Sequence, residues 1–304
     1  MNVIYTERHR LHRPDHELGA GGHPEVAERA ERIAEALRVA GFPFFGPRDY
    51  EPGTLATVHA AEYIRRLSAA GRGVFDTDTP IGEHTFEAAA ASAGCALTGA
   101  DLLLAGERCV YALCRPPGHH AGHDYCAGFC YLNNAALAAT RLRGSDEARR
   151  VAILDVDYHH GNGTQEIFYD SGEVFYVSLH ADPRTAYPYR WGFREQTGAG
   201  PGSGCNLNLP LPHGTDEATY LEALERALDA VAAHAADFLI VSLGTDTFIG
   251  DPLGTFTLST ESYGKIAGRA AKLGLPTLVV QEGGYNLDAI GECVTNFCTG
   301  LQPT

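Results

Sequence analysis

The stretch 151-VAILDVDYHHGNG-163 begins as an apolar run and ends in two aspartates and two histidines. An apolar run of this length, bounded by turn-forming residues, predicts a short strand buried on both faces, which is typical of a parallel sheet. Ionisable groups at the end of such a strand are costly to desolvate unless each one is paired. We therefore interpret the end of this strand as part of a functional site.

Apolar runs and amphipathic stretches alternate along the rest of the chain. This alternation predicts an α/β fold, in which helices cover both faces of a parallel sheet. Two segments rich in glycine, proline and aromatic residues, 71–84 and 181–204, are predicted to be long functional loops. No linker is evident, so residues 1–304 are expected to form one domain. The predicted strands are 3–6, 110–114, 151–156, 174–179, 238–243 and 277–282, and the predicted helices are 25–41, 86–106, 134–144, 216–236 and 260–274.

Composition excludes several classes of protein. A formal net charge of -15 over 304 residues argues against a nucleic-acid partner, because such proteins use Lys and Arg to neutralise phosphates. No apolar segment has the length of a signal peptide or of a membrane span, so we expect a cytoplasmic protein without membrane contact. The eight cysteines form no CxxC pair, which favours reduced thiols.

Polar residues follow four of the predicted strands. They are RPPGHH at 115–120, the D-x-D-x-H-H run at 155–160, GTDTF at 244–248 and EGGY at 282–285. Ligands of open parallel sheets bind beyond the carboxyl ends of the strands. The four strand ends are therefore expected to form one site.

The run after the central strand suits a divalent metal. Asp157 and His159 lie two residues apart in an extended segment, so both side chains can face one ion. Asp246 is the best third ligand, while Asp251 lies farther out in a loop. Two carboxylates and one imidazole leave a coordination position open, as in catalytic sites. Zn²⁺ is the first expectation and Fe²⁺ the competitor.

Four further residues have groups that suit acid-base chemistry or support it. The tandem His119 and His120 lie at a second strand end, and Asp155 can fix the tautomer of His119. Tyr285 follows two glycines and can donate a hydrogen bond to a developing oxyanion. Each motif alone has an ordinary structural interpretation, such as a turn, a cap or a core tyrosine. Their occurrence together favours catalysis.

As an ordered set, the motifs resemble the zinc-dependent histone deacetylases and their bacterial relatives, the acetylpolyamine amidohydrolases. The resemblance rests on RPPGHHAG, GFCYLNNAA, LDVDYHHGNGTQEIFY, VSLHADP, SLGTDTFIGDPLG and EGGY, with 23-HPEVAER-29 near the N-terminus. It implies the arginase/deacetylase fold, a three-layer α/β/α sandwich around a mainly parallel sheet. It also implies hydrolysis of an acetamide.

The resemblance assigns roles residue by residue. His120 would act as the general base and later as the acid, with electrostatic help from His119, and Tyr285 would stabilise the oxyanion. The metal would be held by Asp157, His159 and Asp246.

The same resemblance implies a substrate tunnel with Phe129 and Tyr187 as its walls and Gly128 beside the first wall. Asn162 stands where class I enzymes have an aspartate bonded to the second histidine, so the chain is similar to the class II branch.

A structural potassium ion is also implied by the resemblance. Its ligands would be the Asp155 carboxylate, the carbonyl groups of Asp157 and His159, and the region of Ser178 and Leu179.

The substrate is less closely defined than the reaction. Glu17 and Asp78 resemble acids of bacterial acetylpolyamine amidohydrolases, whereas Leu253 stands where a eukaryotic polyamine deacetylase has a glutamate. We expect a small acetylated amine, with acetylpolyamines favoured and protein acetyl-lysine as the alternative. A binuclear ureohydrolase and a non-catalytic binder of acetylated amines are less favoured. The oligomeric state remains open.

Overall fold

An eight-stranded sheet forms the centre of the structure, a computed structural model that describes residues 1–14, 22–76, 78–144 and 150–302. Every neighbouring pair of strands in this sheet is parallel. Its strands are β1 (Asn2–Ile4), β2 (Phe44–Phe45), β5 (Cys109–Ala112), β6 (Val151–Asp155), β7 (Val174–Ala181), β8 (Asn206–Leu211), β9 (Phe238–Leu243) and β10 (Thr277–Gln281). A separate antiparallel hairpin consists of β3 (Gly73–Asp76) and β4 (Thr79–Ile81).

Helices pack on both faces of the sheet. In β6, Val151 and Ile153 face an apolar cluster formed with helices on one side of the sheet, whereas Ala152 and Leu154 face a second cluster formed with helices on the other side. This alternation explains why the strand is apolar throughout. The three-layer α/β/α arrangement predicted from the sequence is confirmed. The helices are α1 (Ala27–Val39), α2 (Ala61–Ala69), α3 (Thr85–Leu104), α4 (Asn134–Arg143), α5 (Asn162–Phe168), α6 (Glu217–His234), α7 (Thr260–Ala271) and α8 (Ile290–Gly300).

The order of the strands brings the four polar strand ends together. The sheet runs β2-β1-β5-β10-β9-β6-β7-β8, so β5, β10, β9 and β6 are consecutive neighbours. These are the four strands that precede the RPPGHH, EGGY, GTDTF and DVDYHH segments. Because the strands are parallel, their carboxyl ends lie at one edge and their polar residues meet there.

The predicted strands and helices are present, with ends shifted by a few residues, but other elements were not predicted. The edge strand β8 contains Pro210 and alternates asparagine with leucine, so it lacks the continuous apolar run of the inner strands. Helices α2, α5 and α8 were also missed. The segment 71–84, predicted to be a loop, contains the β3–β4 hairpin. No helix in the described part of the chain has the length and apolarity needed to cross a membrane.

Candidate active site

Asp157, His159 and Asp246 form a cluster at the carboxyl edge of the sheet, with both aspartates buried and His159 partly exposed. Asp157 and His159 follow β6, and Asp246 follows the neighbouring β9. Nδ1 of His159 lies 2.9 Å from Oδ2 of Asp246 and 3.4 Å from Oδ1 of Asp157. One ligand atom from each residue lies within 4.8 Å of the others, a spacing that one metal ion can bridge.

Backbone groups hold the carboxylates of this cluster in place. The N–H of Gly283 donates to Oδ2 of Asp157 at 2.8 Å, and the N–H of Tyr158 donates to Oδ1 of Asp246 at 2.9 Å. A Cβ at position 283 would lie 2.6 Å from Asp157 Oδ2 and 2.7 Å from Asp246 Oδ2. Only glycine therefore allows the strand end to approach both carboxylates.

The electrostatics of the cluster favour a bound cation. Burial and the charge of Asp157 raise the pKa of Asp246 to about 7. Burial also acts to raise the pKa of Asp157, but His119 and His159 outweigh it and hold that pKa below its ordinary value. Two adjacent buried carboxylates both ionise readily only when a cation offsets their charge. Two carboxylate oxygens and one imidazole nitrogen fit Zn²⁺ or Fe²⁺.

A second group, His119, Cys130 and Glu282, also has ligand atoms within 4.8 Å of one another. Its chemistry suits a metal less well. Burial raises the pKa of the Cys130 thiol well above its ordinary value, and the thiol lies 3.3 Å from the carbonyl oxygen of Gly128. One Glu282 oxygen already accepts two backbone hydrogen bonds.

The tandem histidines have different partners and opposite pKa shifts. Nδ1 of His119 lies 3.1 Å from Oδ2 of Asp155, and Nδ1 of His120 lies 2.7 Å from Oδ1 of Asn162. Burial acts to lower the pKa of His119, but Asp157 and Asp155 raise it to about 10. Burial and the neighbouring charge of His119 hold the pKa of His120 well below its ordinary value. The pair therefore combines a charged and a neutral imidazole.

The Asn162 contact determines which nitrogen of His120 can accept a proton. An amide oxygen only accepts hydrogen bonds, so Nδ1 of His120 carries the hydrogen. The lone pair is then on Nε2. His120 is thus arranged as a base beside the metal-ligand cluster.

Aromatic side chains surround a cavity of about 250 Å³ above the cluster. The Tyr187 ring lies 5.0 Å from the His120 ring, and the Tyr285 ring meets the Phe129 ring edge-on at 5.8 Å, measured between ring centres. Gly128 lies behind Phe129 with a φ of 52°. The cavity is lined by Asp78, His120, Gly128, Phe129, His159, Tyr187, Tyr189, Leu253 and Tyr285.

The chain is similar to known proteins over nearly its whole length. Residues 23–301 match the family model described as Histone deacetylase domain. The chain belongs to the histone deacetylase family. Acetylpolyamine amidohydrolase 2 of Pseudomonas aeruginosa is 41% identical over an alignment of 343 positions, which covers 99% of each chain. Histone deacetylase 15 of Arabidopsis thaliana is 35% identical over an alignment of 305 positions, which covers 96% of this chain and 55% of the plant protein. The crystal structure of an acetylpolyamine aminohydrolase from Burkholderia pseudomallei superimposes with a TM-score of 0.93 at 38% identity, covering 99% and 98% of the two chains.

The mouth of this histone deacetylase cavity contains two of the predicted substrate-binding residues. Asp78 and Leu253 both line it, whereas Glu17 lies outside the described residues. The β3–β4 hairpin that carries Asp78 also contacts Phe129, a predicted tunnel wall, because the backbone N–H of Phe129 donates to the Thr79 hydroxyl at 3.2 Å.

The residues named for a potassium ion lie beside the histidine pair. Asp155 and Ser178 are register partners on β6 and β7, and Leu179 follows Ser178. Within the described ranges, no backbone N–H donates to the carbonyl oxygens of Asp157 and His159. Both carbonyl groups thus remain available as ligands.

Two residues that support Tyr285 were missed by sequence reasoning. The buried Arg29 donates to the carbonyl oxygens of Glu282 at 2.6 Å and Gly284 at 2.5 Å, and its guanidinium carbon lies 4.7 Å from the centre of the Tyr285 ring. Oδ2 of Asp251 accepts the N–H groups of Tyr285 and Asn286 at 2.6 and 3.0 Å. Arg29 belongs to the HPEVAER motif, and Asp251 was the less favoured metal candidate. Their support of Tyr285 depends on contacts between residues distant in sequence, which the sequence pattern does not show.

Proposed function

We propose that this chain is a zinc-dependent amidohydrolase that removes acetyl groups from acetylpolyamines or related small acetylated amines. One observation carries the proposal: three metal-type ligands lie beside the imidazole of His120 at the base of an aromatic cavity. The names of the similar bacterial proteins support the choice of substrate class. The family match over residues 23–301 supports a single catalytic domain.

Asp157, His159 and Asp246 would hold the metal. When bound, Zn²⁺ or Fe²⁺ supplies Lewis acidity to the acetyl carbonyl and to water. The remaining steps use side chains of the protein. His120 accepts a proton at Nε2 from the attacking water and later donates it to the leaving amine. The positive charge of His119 stabilises the negative charge that develops during the reaction.

Tyr285 would act on the oxygen of the substrate carbonyl. Its hydroxyl donates a hydrogen bond to the oxyanion that forms as water attacks. Phe129 and Tyr187 would hold the methylene chain between their rings and exclude water from the reacting carbonyl.

The mouth of the cavity supports a cationic substrate. The Asp78 carboxylate would attract the distal ammonium group of an acetylated polyamine, as would Glu17, and Leu253 would contact the alkyl chain. The net charge of -15 would also raise the local concentration of polycations. A monovalent cation, with potassium expected, would bind the Asp155 carboxylate, the two available carbonyl groups and the Ser178–Leu179 region.

Substrate preference is tested by measuring kcat/KM for N-acetylputrescine and for an acetyl-lysine peptide with Zn²⁺-loaded and Fe²⁺-loaded protein. We expect turnover of both, with N-acetylputrescine preferred, and loss of turnover in His120→Ala at unchanged metal content. A large preference for the peptide would instead assign the chain to protein deacetylation. More than one divalent metal ion per chain by elemental analysis would favour a binuclear ureohydrolase.

A further inference from the structure

Glu282 is a fully buried carboxylate directly after β10, next to the histidine pair. Its Oε2 accepts the backbone N–H groups of Gly118 at 2.7 Å and His119 at 3.1 Å. Its Oε1 has no hydrogen-bond partner among the described residues. A buried carboxylate with one unpaired oxygen is costly to stability, so a functional reason for this residue is expected.

The backbone of Glu282 contacts other parts of the active site. Its carbonyl oxygen accepts a hydrogen bond from Arg29, whose guanidinium packs against the Tyr285 ring. The next residue, Gly283, donates its N–H to Asp157 in the metal-ligand cluster. The side chain of Glu282 thus ties the histidine loop to the strand end that also supports Tyr285 and Asp157.

The hydrogen bonds of Glu282 fix the part of the loop that precedes the imidazole of His120. The loop is also held from its other side, because the N–H of Thr164 donates to the carbonyl oxygen of His119 at 3.1 Å. With both sides bonded, the peptide between His119 and His120 cannot rotate freely. These hydrogen bonds and the contact with Asn162 together determine the orientation of the His120 ring.

We propose that Glu282 is a positioning residue for the tandem-histidine loop: its carboxylate fixes the Gly118 and His119 amides and thereby orients His120 for proton transfer. This inference rests on the proposed amidohydrolase activity but not on which acetylated amine is the substrate. A misplacement of about 1 Å in a catalytic group can reduce the rate by about 100-fold. Loss of the Glu282 carboxylate is expected to lower kcat by a factor of this size.

The test compares Glu282→Ala and Glu282→Gln with wild type in the metal-loaded protein. The measurements are kcat, KM, metal content and thermal unfolding. Glu282→Ala should lower kcat by about 100-fold with little change in KM or metal content. Glu282→Gln keeps an acceptor oxygen at the same reach and should recover most of this loss. Val279→Ala, a buried change on the same strand, should lower thermal stability and leave kcat unchanged.

A double-mutant cycle with His120→Ala separates positioning from a general loss of structure. If Glu282 acts through His120, adding Glu282→Ala to His120→Ala should lower the residual rate only slightly. A full further 100-fold loss, no loss of kcat in Glu282→Ala, or release of the metal by Glu282→Ala would each overturn the proposal. If Glu282→Ala does not fold, Glu282→Asp replaces it, because its shorter side chain cannot reach both amides.

Each rate is measured with whichever of N-acetylputrescine and the acetyl-lysine peptide the wild type hydrolyses faster. A preference for the peptide would overturn the proposed substrate without affecting the result for Glu282. Conversely, normal kcat in Glu282→Ala would overturn the positioning role while the proposed function stands.

Discussion

Replacement of Gly128 by alanine tests the geometry of the cavity most directly. Gly128 has a φ of 52°, a conformation that residues with a side chain rarely adopt. An added Cβ would lie 2.8 Å from Cγ of His120 and 3.1 Å from Cε1 of Tyr187. The methyl group would therefore press on His120, the proposed general base, and on Tyr187, a proposed tunnel wall.

The expected effect follows from these distances. Carbon atoms pack best at about 3.5–4.0 Å, so the imidazole must move by about 1 Å. A shift of this size is expected to lower kcat by about 100-fold, or about 2.7 kcal/mol in activation free energy. The left-handed backbone adds a loss of about 1–2 kcal/mol in folding stability. The metal content should remain that of wild type, because the atoms nearest to the added methyl group belong to His120 and Tyr187 and not to Asp157, His159 or Asp246.

Gly200→Ala is a matched control. Gly200 has a φ of 50°, and a Cβ there would meet no atom within 4 Å. This variant should lose a similar 1–2 kcal/mol of stability and retain wild-type kcat. The assay is steady-state turnover of N-acetylputrescine with chemical unfolding of both variants. Equal kcat values in the two variants would refute the claim that close packing at Gly128 positions His120.

Four other changes test separate parts of the site. Tyr285→Phe should lower kcat by about 100- to 1000-fold while metal is retained; unchanged turnover would remove the hydroxyl from the mechanism. Asp246→Ala should release the metal, and a wild-type metal content by elemental analysis would contradict its role as a ligand. Arg29→Lys should lower kcat by about 10-fold without metal loss, because an ammonium group lacks the planar fork that bonds two carbonyl oxygens; normal kcat would argue against this support of Tyr285. The buried Glu25 carboxylate forms ion pairs with Arg29 at 2.9 Å and with Arg115 at 2.8 Å. Burial acts to raise the pKa of Glu25, but Arg115 and Arg29 lower it to about 2 from 4.5. The contribution of Glu25 to stability is therefore present above pH 4.5 and is lost as the pH falls toward 2. Glu25→Gln should abolish that acid dependence in urea unfolding and reduce stability at pH 7 by about 3–5 kcal/mol; an unchanged acid dependence would contradict the ion pairs.

The local pattern of the sequence predicts those parts of the fold and site where an apolar run is followed directly by ionisable residues. The 151–156 run was predicted as a buried strand, and β6 occupies Val151–Asp155. The polar segments after β5, β9 and β10 were found in the same way, because each follows an apolar run directly. Asp251 shows where this reasoning ends: its carboxylate bonds the Tyr285 turn, a contact across 34 positions that no local pattern encodes.

The amino-acid sequence by itself determined the α/β class and the family resemblance, because strand periodicity and motif spacing are local properties of the chain. It also identified Asp157, His159, His119, His120 and Tyr285 as candidates for chemistry. Only the tertiary structure decided that β5, β10, β9 and β6 are neighbours, and hence which atoms lie within hydrogen-bond distance. The supporting contacts of Arg29, Asp251 and Glu282 depend on that order, because each contact joins residues that are distant in sequence. Each contact is made by a buried charged side chain, which is stable only when the folded chain supplies its partner.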